Sequence, residues 1–235
     1  MSALLDRGFP VALCGPSGSG KTTVIRELLS KRDDLRFSVS VTTRHPRSGE
    51  RADVHYRFLA REEFEELRAG GGLLEWAEVH GELYGTPRAN LERAKAEGRH
   101  LLLDIDVQGA RQVSAAVPET LTIFLLPPSG VWLERLRSRG SEAADALARR
   151  LRTAESELLF AEEFEYVILN DELSRTVRRV EAILEAEESR AGRVGKELRR
   201  CVSALQEEIA AVSRSTVGGE MDAGSAAAAA DAKKS

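Results

Sequence analysis

Short, nearly continuous apolar runs recur along most of the chain, and they predict buried strands. The strand candidates are Val11–Cys14, Leu101–Ile105, Thr122–Leu126 and Tyr166–Leu169. Runs of four to six residues without polar alternation are typical of parallel strands that are covered on both faces. The sequence therefore predicts a parallel sheet whose strands are separated by long connections.

Helical patterns fill these connections. They cover Thr23–Leu29, Arg61–Ala69, Glu92–Glu97, Trp132–Arg152 with one loop inside it, Thr153–Glu163 and Leu173–Glu188. Gly98 follows the third pattern, and glycine is the preferred residue just beyond the end of a helix. The alternation of apolar runs with helical patterns predicts an α/β fold, with helices flanking the sheet.

The segment from about Arg36 to Leu91 has a different character. It contains two alternating stretches, FSVSV at Phe37–Val41 and HYRFL at His55–Leu59, and the helical pattern at Arg61–Ala69. Alternation favours strands with one exposed face. We interpret this segment as a mixed α/β lobe inserted into the parallel core.

The pattern changes again after about Ser189. A narrow apolar stripe at spacings of three and four residues predicts one further helix, and it consists of Val194, Leu198, Val202, Leu205, Ile209 and Val212. The stripe is compatible with docking on the core, with pairing to another chain and with binding a partner. From Gly218 onward the composition is of low complexity and predicts disorder.

Composition narrows the function classes. The 235 residues include 34 Lys and Arg against 38 Asp and Glu, a formal net charge of −4, which gives no general attraction to nucleic acid. Cys14 and Cys201 have no metal-binding spacing. No apolar run is long enough to span a membrane, and no signal-peptide pattern is present. We therefore expect a cytoplasmic protein that acts without nucleic acid or membrane.

The strongest motif follows the first apolar run. Gly15–Thr22, GPSGSGKT, matches the phosphate-binding pattern G-x-x-x-x-G-K-[ST] between a strand and a helix. Its glycines let backbone amides approach phosphate oxygens, Lys21 adds a full charge, and the Thr22 hydroxyl is suited to ligate Mg²⁺. A simple Gly/Ser turn is the alternative, and the flanking strand and helix patterns argue against it.

Two further groups carry candidate chemistry. Asp104 follows an apolar run, and in proteins with a phosphate-binding loop a carboxylate at this position supports Mg²⁺. Asp106 lies two residues further on, so its side chain points to the same side as that of Asp104 if the extended geometry continues. Arg44 and Arg47 flank Pro46 and are suited to bidentate phosphate binding. In isolation, the arginine pair is more often a solvated basic loop, and a water-exposed strand end is the alternative for Asp104.

Several separated motifs together resemble the guanylate kinase family, over about Phe9–Glu188. They are Gly15–Thr23, Phe37–Glu50, Tyr56, Leu73–Thr86, Leu101–Gly109, Arg135–Glu142 and Val167–Asp171. The resemblance implies a P-loop parallel sheet with a GMP-binding insertion and a helical lid. It also implies an enzyme of purine metabolism that transfers a phosphoryl group from Mg²⁺-bound ATP to GMP, and to dGMP.

The resemblance implies a role for each matching residue. ATP is bound by Gly15, Pro16, Ser17, Gly18, Ser19, Gly20, Lys21, Thr22, Thr23 and Asn170; Mg²⁺ is held by Thr22 and Asp104, directly or through water. The GMP phosphate is surrounded by Ser40, Arg44, Arg47, Glu50, Tyr56 and Tyr84, and the guanine is recognised by Glu75, Thr86 and Asp106. The catalytic cations are Lys21, Arg44, Arg135, Arg139 and Arg150.

The implied domain boundaries follow the same motifs. A catalytic domain at 1–188 comprises a core (9–36, 92–128 and 153–188), the GMP-binding insertion (37–91) and the lid (129–152). A helical extension at 189–217 and a disordered tail at 218–235 follow. The extension has no counterpart in the resemblance, and the sequence leaves its role and any oligomeric state open.

Two alternative functions share this fold. Guanylate-kinase-like scaffold domains bind phosphorylated peptides, but they typically have a degraded phosphate loop, whereas Gly20, Lys21 and Thr22 are intact here. A kinase acting on another small phosphorylated substrate is the second alternative, and Glu75 with Asp106 favours guanine over it.

Overall fold

The computed structural model describes residues 8–130, 132–133, 144–195 and 198–214. The chain divides into two compact units, Arg7–Ala186 and a unit that contains the described residues from Glu187 onward. The first unit holds both sheets and all the predicted site residues that the structure describes. Among the described residues, no helix combines the length and the apolar character needed to cross a membrane.

The core of the first unit is a five-stranded parallel sheet. Its strands are β1 (Pro10–Cys14), β2 (Leu35–Phe37), β7 (His100–Asp104), β8 (Leu121–Leu126) and β9 (Tyr166–Leu169), in the order β2-β7-β1-β8-β9. All four neighbouring pairs are parallel. Every side chain of β1 is buried, because β1 lies in the middle of the sheet with helices on its faces. The predicted strands and the α/β fold are thus confirmed.

Helices connect the strands of this sheet. They are α1 (Lys21–Lys31), α3 (Arg88–Ala96), α4 (Val107–Ala116), α5 (Ala144–Leu158) and α6 (Leu173–Glu188). Gly98 follows α3 with a φ of +68°, as expected for a glycine beyond a helix end. α5 is continuous through Arg152 and Thr153, so the predicted break there is wrong, and only a short 3₁₀ turn at Ala161–Glu163 follows it.

A second sheet forms the inserted lobe. It has the order β4-β3-β6-β5, with β3 (Val41–Thr42), β4 (Arg57–Phe58), β5 (Leu73–Val79) and β6 (Glu82–Pro87). β5 and β6 form an antiparallel hairpin, and the positive φ values of His80 and Gly81 fit a two-residue turn. Helix α2 (Arg61–Ala69) packs Phe64 against the small core of this lobe.

The strand β2 is absent from the sequence prediction. Its three residues form the edge of the parallel sheet, and Arg36 in their middle pairs with Glu97 rather than entering the core. Because an edge strand is not covered on all sides, β2 can be short and can contain a charged residue, so its sequence lacks the continuous apolar run that predicts a buried strand. The predicted alternating strand at Phe37–Val41 therefore divides, with Phe37 in β2 and Val41 in β3.

The order of strands determines where a ligand can bind. The chain leaves β1 toward β2 on one side, and it returns through β7 and α4 to β8 on the other side. The carboxyl ends of β1, β7 and β8 therefore border a crevice at which connections diverge, the place where open α/β sheets bind ligands.

Candidate functional site

The phosphate-binding loop leaves the carboxyl end of β1 and enters α1. Gly15, Gly18 and Gly20 have φ values of +141°, +82° and +93°, which are accessible to glycine and rarely to other residues. A Cβ at Gly15 would lie 2.4 Å from the carbonyl oxygen of Leu125, and one at Gly20 would lie 2.5 Å from Nδ2 of Asn170. The loop is thus built for close backbone approach, and the first amides of α1 have no partner within the helix.

Three side chains bind the carbonyl oxygens of this loop. Lys21 Nζ donates to the carbonyl of Gly15, Trp132 Nε1 donates to Ser17 O at 2.9 Å, and Asn170 Nδ2 donates to Ser19 O at 2.6 Å. Carbonyl oxygens that already accept from the protein do not face an incoming anion. The arrangement therefore leaves the amide side of the loop for phosphate oxygens.

The hydroxyl of Ser19 supports the same interpretation. Ser19 is buried, and within the described residues its Oγ has no hydrogen-bond partner. Buried hydroxyls are nearly always satisfied, so an orphaned one in a phosphate-binding loop indicates a ligand as its partner.

The carboxylate of Asp104 faces this loop from the end of β7. The side chain of Asp104 reaches solvent, but the surrounding protein partly desolvates it and raises its pKa, and the charge of Lys21 lowers the pKa in part. The strand ends at Asp104, and Asp106 is the N-cap of α4, where its Oδ1 accepts from Gly109 N at 2.7 Å. The backbone of Asp106 is still extended, with φ −81° and ψ 178°, so the expectation that Asp104 and Asp106 share one side stays a prediction.

A third carboxylate near the loop was not predicted. Glu157 of α5 has a raised pKa, caused mainly by burial; Lys21 lowers it and Asp106 raises it. It is partly buried, and no sequence motif distinguishes it from the other charged residues of this helix. Cys14, at the end of β1, is buried with a raised pKa and donates its thiol proton to Asp106 O, which fits the predicted role as a core residue.

The structure brings Glu75, Thr86 and Asp106 together. Glu75 on β5 is 8% exposed, and its Oε1 accepts from the Thr86 hydroxyl on β6 at 2.6 Å. A Cβ at Gly109 would lie 3.3 Å from Glu75 Oε2 and 3.4 Å from Asp106 Oδ1. Burial raises the pKa of Glu75, the Thr86 hydroxyl lowers it, and Asp106 raises it further. Two carboxylates, one on β5 and one at the N-cap of α4, thus meet over a position that has no side chain.

Gln112 holds this group in place. Its Nε2 donates to Trp76 O at 3.0 Å, and its Oε1 accepts from Trp76 N at 3.2 Å. β5 is an edge strand, so the side chain of Gln112 pairs with an otherwise open backbone position. The contact joins α4, which begins at Asp106, to the strand that carries Glu75. Nothing in the sequence indicated this role.

A second cluster of the inserted lobe is centred on Arg44. Its guanidinium donates to Glu50 through Nη1 at 3.0 Å and Nη2 at 2.9 Å, to the Tyr84 hydroxyl through Nε at 3.1 Å, and to His45 O at 2.7 Å. Arg44 lowers the pKa of Glu50 to about 2, aided by the backbone amide of Arg47, and Glu50 in turn raises the pKa of Arg44. Arg44 is therefore preorganised by a carboxylate.

Tyr56 and Tyr84 complete the cluster. Their rings meet edge to face with centroids 6.0 Å apart, and the Arg44 guanidinium lies 5.4 Å from the Tyr56 ring centroid. Burial, with contributions from Tyr84 and Asp104, raises the pKa of Tyr56. Because Asp104 acts on Tyr56, the cluster lies within electrostatic range of the phosphate-binding loop. Ser40 lies beside it, and its carbonyl accepts from Arg57 N at 2.9 Å.

The lid is only partly described. Arg135 and Arg139 lie outside the described residues, and Arg150 lies in α5 with its side chain partly buried. Trp132, in the same predicted segment, contacts the phosphate-binding loop as described above. A single tryptophan ahead of a helix gives no signal in the sequence for such a contact.

Comparison with known proteins gives one consistent family. The guanylate kinase family model matches residues 7–187. A guanylate kinase of Clostridium perfringens is 42% identical over 194 residues, covering 82% of this chain and 90% of the relative. One of Corynebacterium jeikeium is 46% identical over 187 residues, covering 78% of this chain and 100% of the relative. The solved structure of a guanylate kinase from Anaplasma phagocytophilum is 38% identical, covers 81% of this chain and 92% of that chain, and has a TM-score of 0.66.

Proposed function

The chain belongs to the guanylate kinase family and catalyses the ATP-dependent phosphorylation of GMP to GDP, and we propose that two separate cradles hold the two nucleotides for direct transfer. The donor cradle is the phosphate-binding loop, Gly15–Thr22, with the start of α1. The acceptor cradle is the inserted lobe, with the Arg44 cluster and the group of Glu75, Thr86 and Asp106. We place both cradles at the carboxyl ends of the core strands, where open α/β sheets bind ligands.

The donor cradle binds the phosphates of ATP mainly through backbone. We assign the amides of the loop and of the first turn of α1 to the phosphates, except those of Ser19 and Thr23, which donate to Pro16 O at 3.0 Å and to Gly20 O at 3.1 Å. Lys21 supplies the mobile charge. In the structure Lys21 rests on the carbonyl of Gly15, a position from which it reaches the β- and γ-phosphates by rotation of its side chain. Asn170 supports the loop from behind, beside the expected position of the adenine.

The residues at this site fit a magnesium ion. Thr22 presents an exposed hydroxyl at the second position of α1, and Asp104 offers a carboxylate at the end of the neighbouring strand. Mg²⁺ prefers such hard oxygen ligands, completed by water and phosphate oxygens. We assign Thr22 and Asp104 to hold it; when bound, the ion neutralises charge on the phosphates of ATP.

The single observation that carries the acceptor assignment is the Glu75 group. Guanine presents the N1–H and N2–H donors on one edge, and a carboxylate accepts both. The Thr86 hydroxyl orients Glu75, while Asp106 is held by Gly109 N. Adenine lacks this donor pair and would leave a buried carboxylate unpaired, a penalty that supports discrimination on the order of 10⁴-fold. The sugar hydroxyls do not enter this recognition, so we expect dGMP to be a substrate as well.

The Arg44 cluster is assigned to the phosphate of GMP. Arg44 is oriented by Glu50 and Tyr84, and Arg47 adds a second guanidinium on the same loop. Ser40 and Tyr56 supply hydroxyls beside it. Glu50 acts through Arg44, as a positioning residue, because both of its carboxylate oxygens already accept from the loop.

Transfer then depends on alignment and charge neutralisation. The attacking oxygen belongs to an ionised phosphate, so no side chain has to remove a proton. Two anionic groups have to meet, and the cations proposed to permit this are Lys21, Arg44, Arg47, Arg135, Arg139 and Arg150. Closure of the insertion and the lid would bring them together and exclude the water that otherwise hydrolyses ATP. Both substrates are cytoplasmic metabolites, which supports the cytoplasm as the place of action.

A coupled assay of ADP release tests the assignment with GMP, dGMP, AMP, CMP and UMP as acceptors. We expect turnover with GMP and dGMP and a kcat/KM for AMP lower by a factor on the order of 10⁴. Turnover of AMP at a comparable rate would overturn the role of Glu75. Equal activity without divalent cations would overturn the roles of Thr22 and Asp104.

A further inference from the structure

The helix at residues 198–214 carries an apolar stripe that faces solvent. Its members Leu198, Val202, Leu205, Ile209 and Val212 are between 37% and 65% exposed. An isolated helix of about 17 residues is marginally stable in water, and an exposed apolar stripe along it indicates a binding surface. The stripe lies outside the 7–187 region that the family model matches, so the catalytic fold does not account for it.

The spacing of the stripe is that of a coiled coil. Steps of four, three, four and three residues place Leu198, Leu205 and Val212 at d positions and Val202 and Ile209 at a positions of a heptad. β-branched residues at a combined with leucine at d favour a two-stranded parallel pairing. Both a positions here are β-branched, and two of the three d positions are leucine.

The number of matched layers favours the same arrangement. A parallel pair aligns all five apolar layers of the stripe, whereas an antiparallel pair, in which a positions face d positions, aligns at most four of them. In the parallel pair, each g position lies beside the e position of the following heptad in the other helix, which matches Cys201 with Gln206 and Glu208 with Ser213. Neither match brings like charges together.

We propose that this helix is a self-association element, and that its occupant is the same helix of a second copy of the chain in parallel orientation. The a and d side chains of the two copies bury each other, while the charged f positions Arg200, Glu207 and Arg214 stay in water. The proposal is independent of the catalytic assignments, because it uses none of the residues that we assign to the nucleotides.

Analytical ultracentrifugation of the full chain over a wide concentration range tests the pairing. We expect a species of about twice the 25.7 kDa of one chain, which dissociates on dilution. The double variant Leu205→Glu/Ile209→Glu places four carboxylates in the seam and should be monomeric, with unchanged kinase activity. The matched control Glu207→Lys, at an f position, should remain dimeric.

Orientation is tested by cross-linking. In a Cys201→Ser background, Val202→Cys places one thiol at an a position, where parallel pairing brings the two copies within disulfide distance. Oxidation should then yield a covalent dimer. A dimer that fails to cross-link overturns the parallel orientation. A monomeric wild-type chain, or a dimer that persists in the double variant, overturns the proposal. A monomeric wild type whose melting temperature falls in the double variant would show that the chain itself covers the stripe.

Discussion

The proposed donor and acceptor cradles would meet the same requirement, the binding of a phosphorylated nucleotide, with different parts of the chain. The donor cradle is a continuous segment, Gly15–Thr22, and its anion-binding groups are backbone amides shaped by positive φ values. The acceptor cradle is assembled from side chains on β5, β6, α4 and the loop after β3. Backbone amides cannot distinguish one nucleotide from another, whereas placed side chains can. The comparison therefore separates affinity for phosphate from selectivity for the base.

The difference extends to how each cradle is held rigid. In the donor cradle, side chains bind loop carbonyls, as Asn170 does at Ser19. In the acceptor cradle, side chains bind one another, as Glu50 does with Arg44 and Thr86 does with Glu75. Loss of one donor contact should therefore reduce phosphoryl transfer for every acceptor, while loss of one acceptor contact should act on GMP alone.

The largest effect is expected in the donor cradle. Lys21→Ala removes the only side-chain cation within the phosphate-binding motif, and we expect kcat to fall by a factor on the order of 10³ with both GMP and dGMP. Lys95→Ala, which removes a surface contact to Glu119, is the matched control and should leave kcat unchanged. Steady-state kinetics and a melting curve measure both. A loss restricted to the KM for GMP would contradict the donor role.

The next effect separates selectivity from stability. Glu75→Gln removes the acceptor of the guanine donors, so kcat/KM for GMP should fall by a factor on the order of 10² to 10³. The same change should raise the melting temperature at neutral pH, because burial has raised the pKa of Glu75 and its ionisation therefore opposes folding there.

The pH dependence of this stabilisation has a definite sign. Below the usual glutamate pKa of about 4.3, wild-type Glu75 is protonated in both folded and unfolded states, so the gain from glutamine should disappear. Thermal unfolding between acid and neutral pH measures it. Glu78→Gln, an exposed position on the same strand, is the control and should change neither stability nor activity. Equal stability of Glu75→Gln and the wild type at neutral pH would count against a buried, costly carboxylate.

A smaller effect is expected at the positioning carboxylate. Glu50→Gln weakens the hold on Arg44, and we expect the KM for GMP to rise about tenfold with little change in kcat, an effect typical of lost uniform binding. The pKa of Glu50 is lowered to about 2, so its contribution to stability is present above about 4.3 and is lost as the pH falls toward 2. Acid unfolding of wild type and variant should therefore converge at the lowest pH.

The control for this variant is Glu62→Gln, an exposed position in the same lobe. It should leave the KM for GMP unchanged. If Glu50→Gln lowered kcat while KM stayed constant, Arg44 would be acting only in the transition state, and the preorganising role of Glu50 would be wrong.

The smallest effect is expected at the link between the two sheets. Gln112→Leu removes both hydrogen bonds to the backbone of Trp76, and we expect kcat/KM for GMP to fall about fivefold while ATP binding is unchanged. Ala115→Leu, at an exposed position of α4, adds apolar bulk without removing a hydrogen bond and serves as the control. Isothermal titration with each nucleotide separately measures the effect. Equal weakening of ATP and GMP binding would show that α4 acts on the whole fold rather than on the acceptor cradle.

The residues differ in how far the sequence alone predicts them. Gly15, Lys21 and Thr22 are adjacent in the chain, and their geometry is local, so the motif predicts both the loop and its chemistry. The buried runs of β1, β7 and β8 likewise predict a parallel sheet, because strands covered on both faces leave no other pattern. For Glu75, Thr86 and Asp106, only the family resemblance indicated a shared role.

Gln112, Trp132 and Glu157 show where such prediction ends. Each interacts with a residue at least 36 positions away in the sequence. Gln112 binds the backbone of Trp76, Trp132 binds the carbonyl of Ser17, and Glu157 lies near Lys21. Local pattern carries no information on these pairs, because they form only once α4, α5 and both sheets are packed. The sequence of adjacent residues is enough to specify a loop that binds phosphate. Selectivity for the base requires carboxylates and hydroxyls from distant segments to come together, and this happens only in the folded protein.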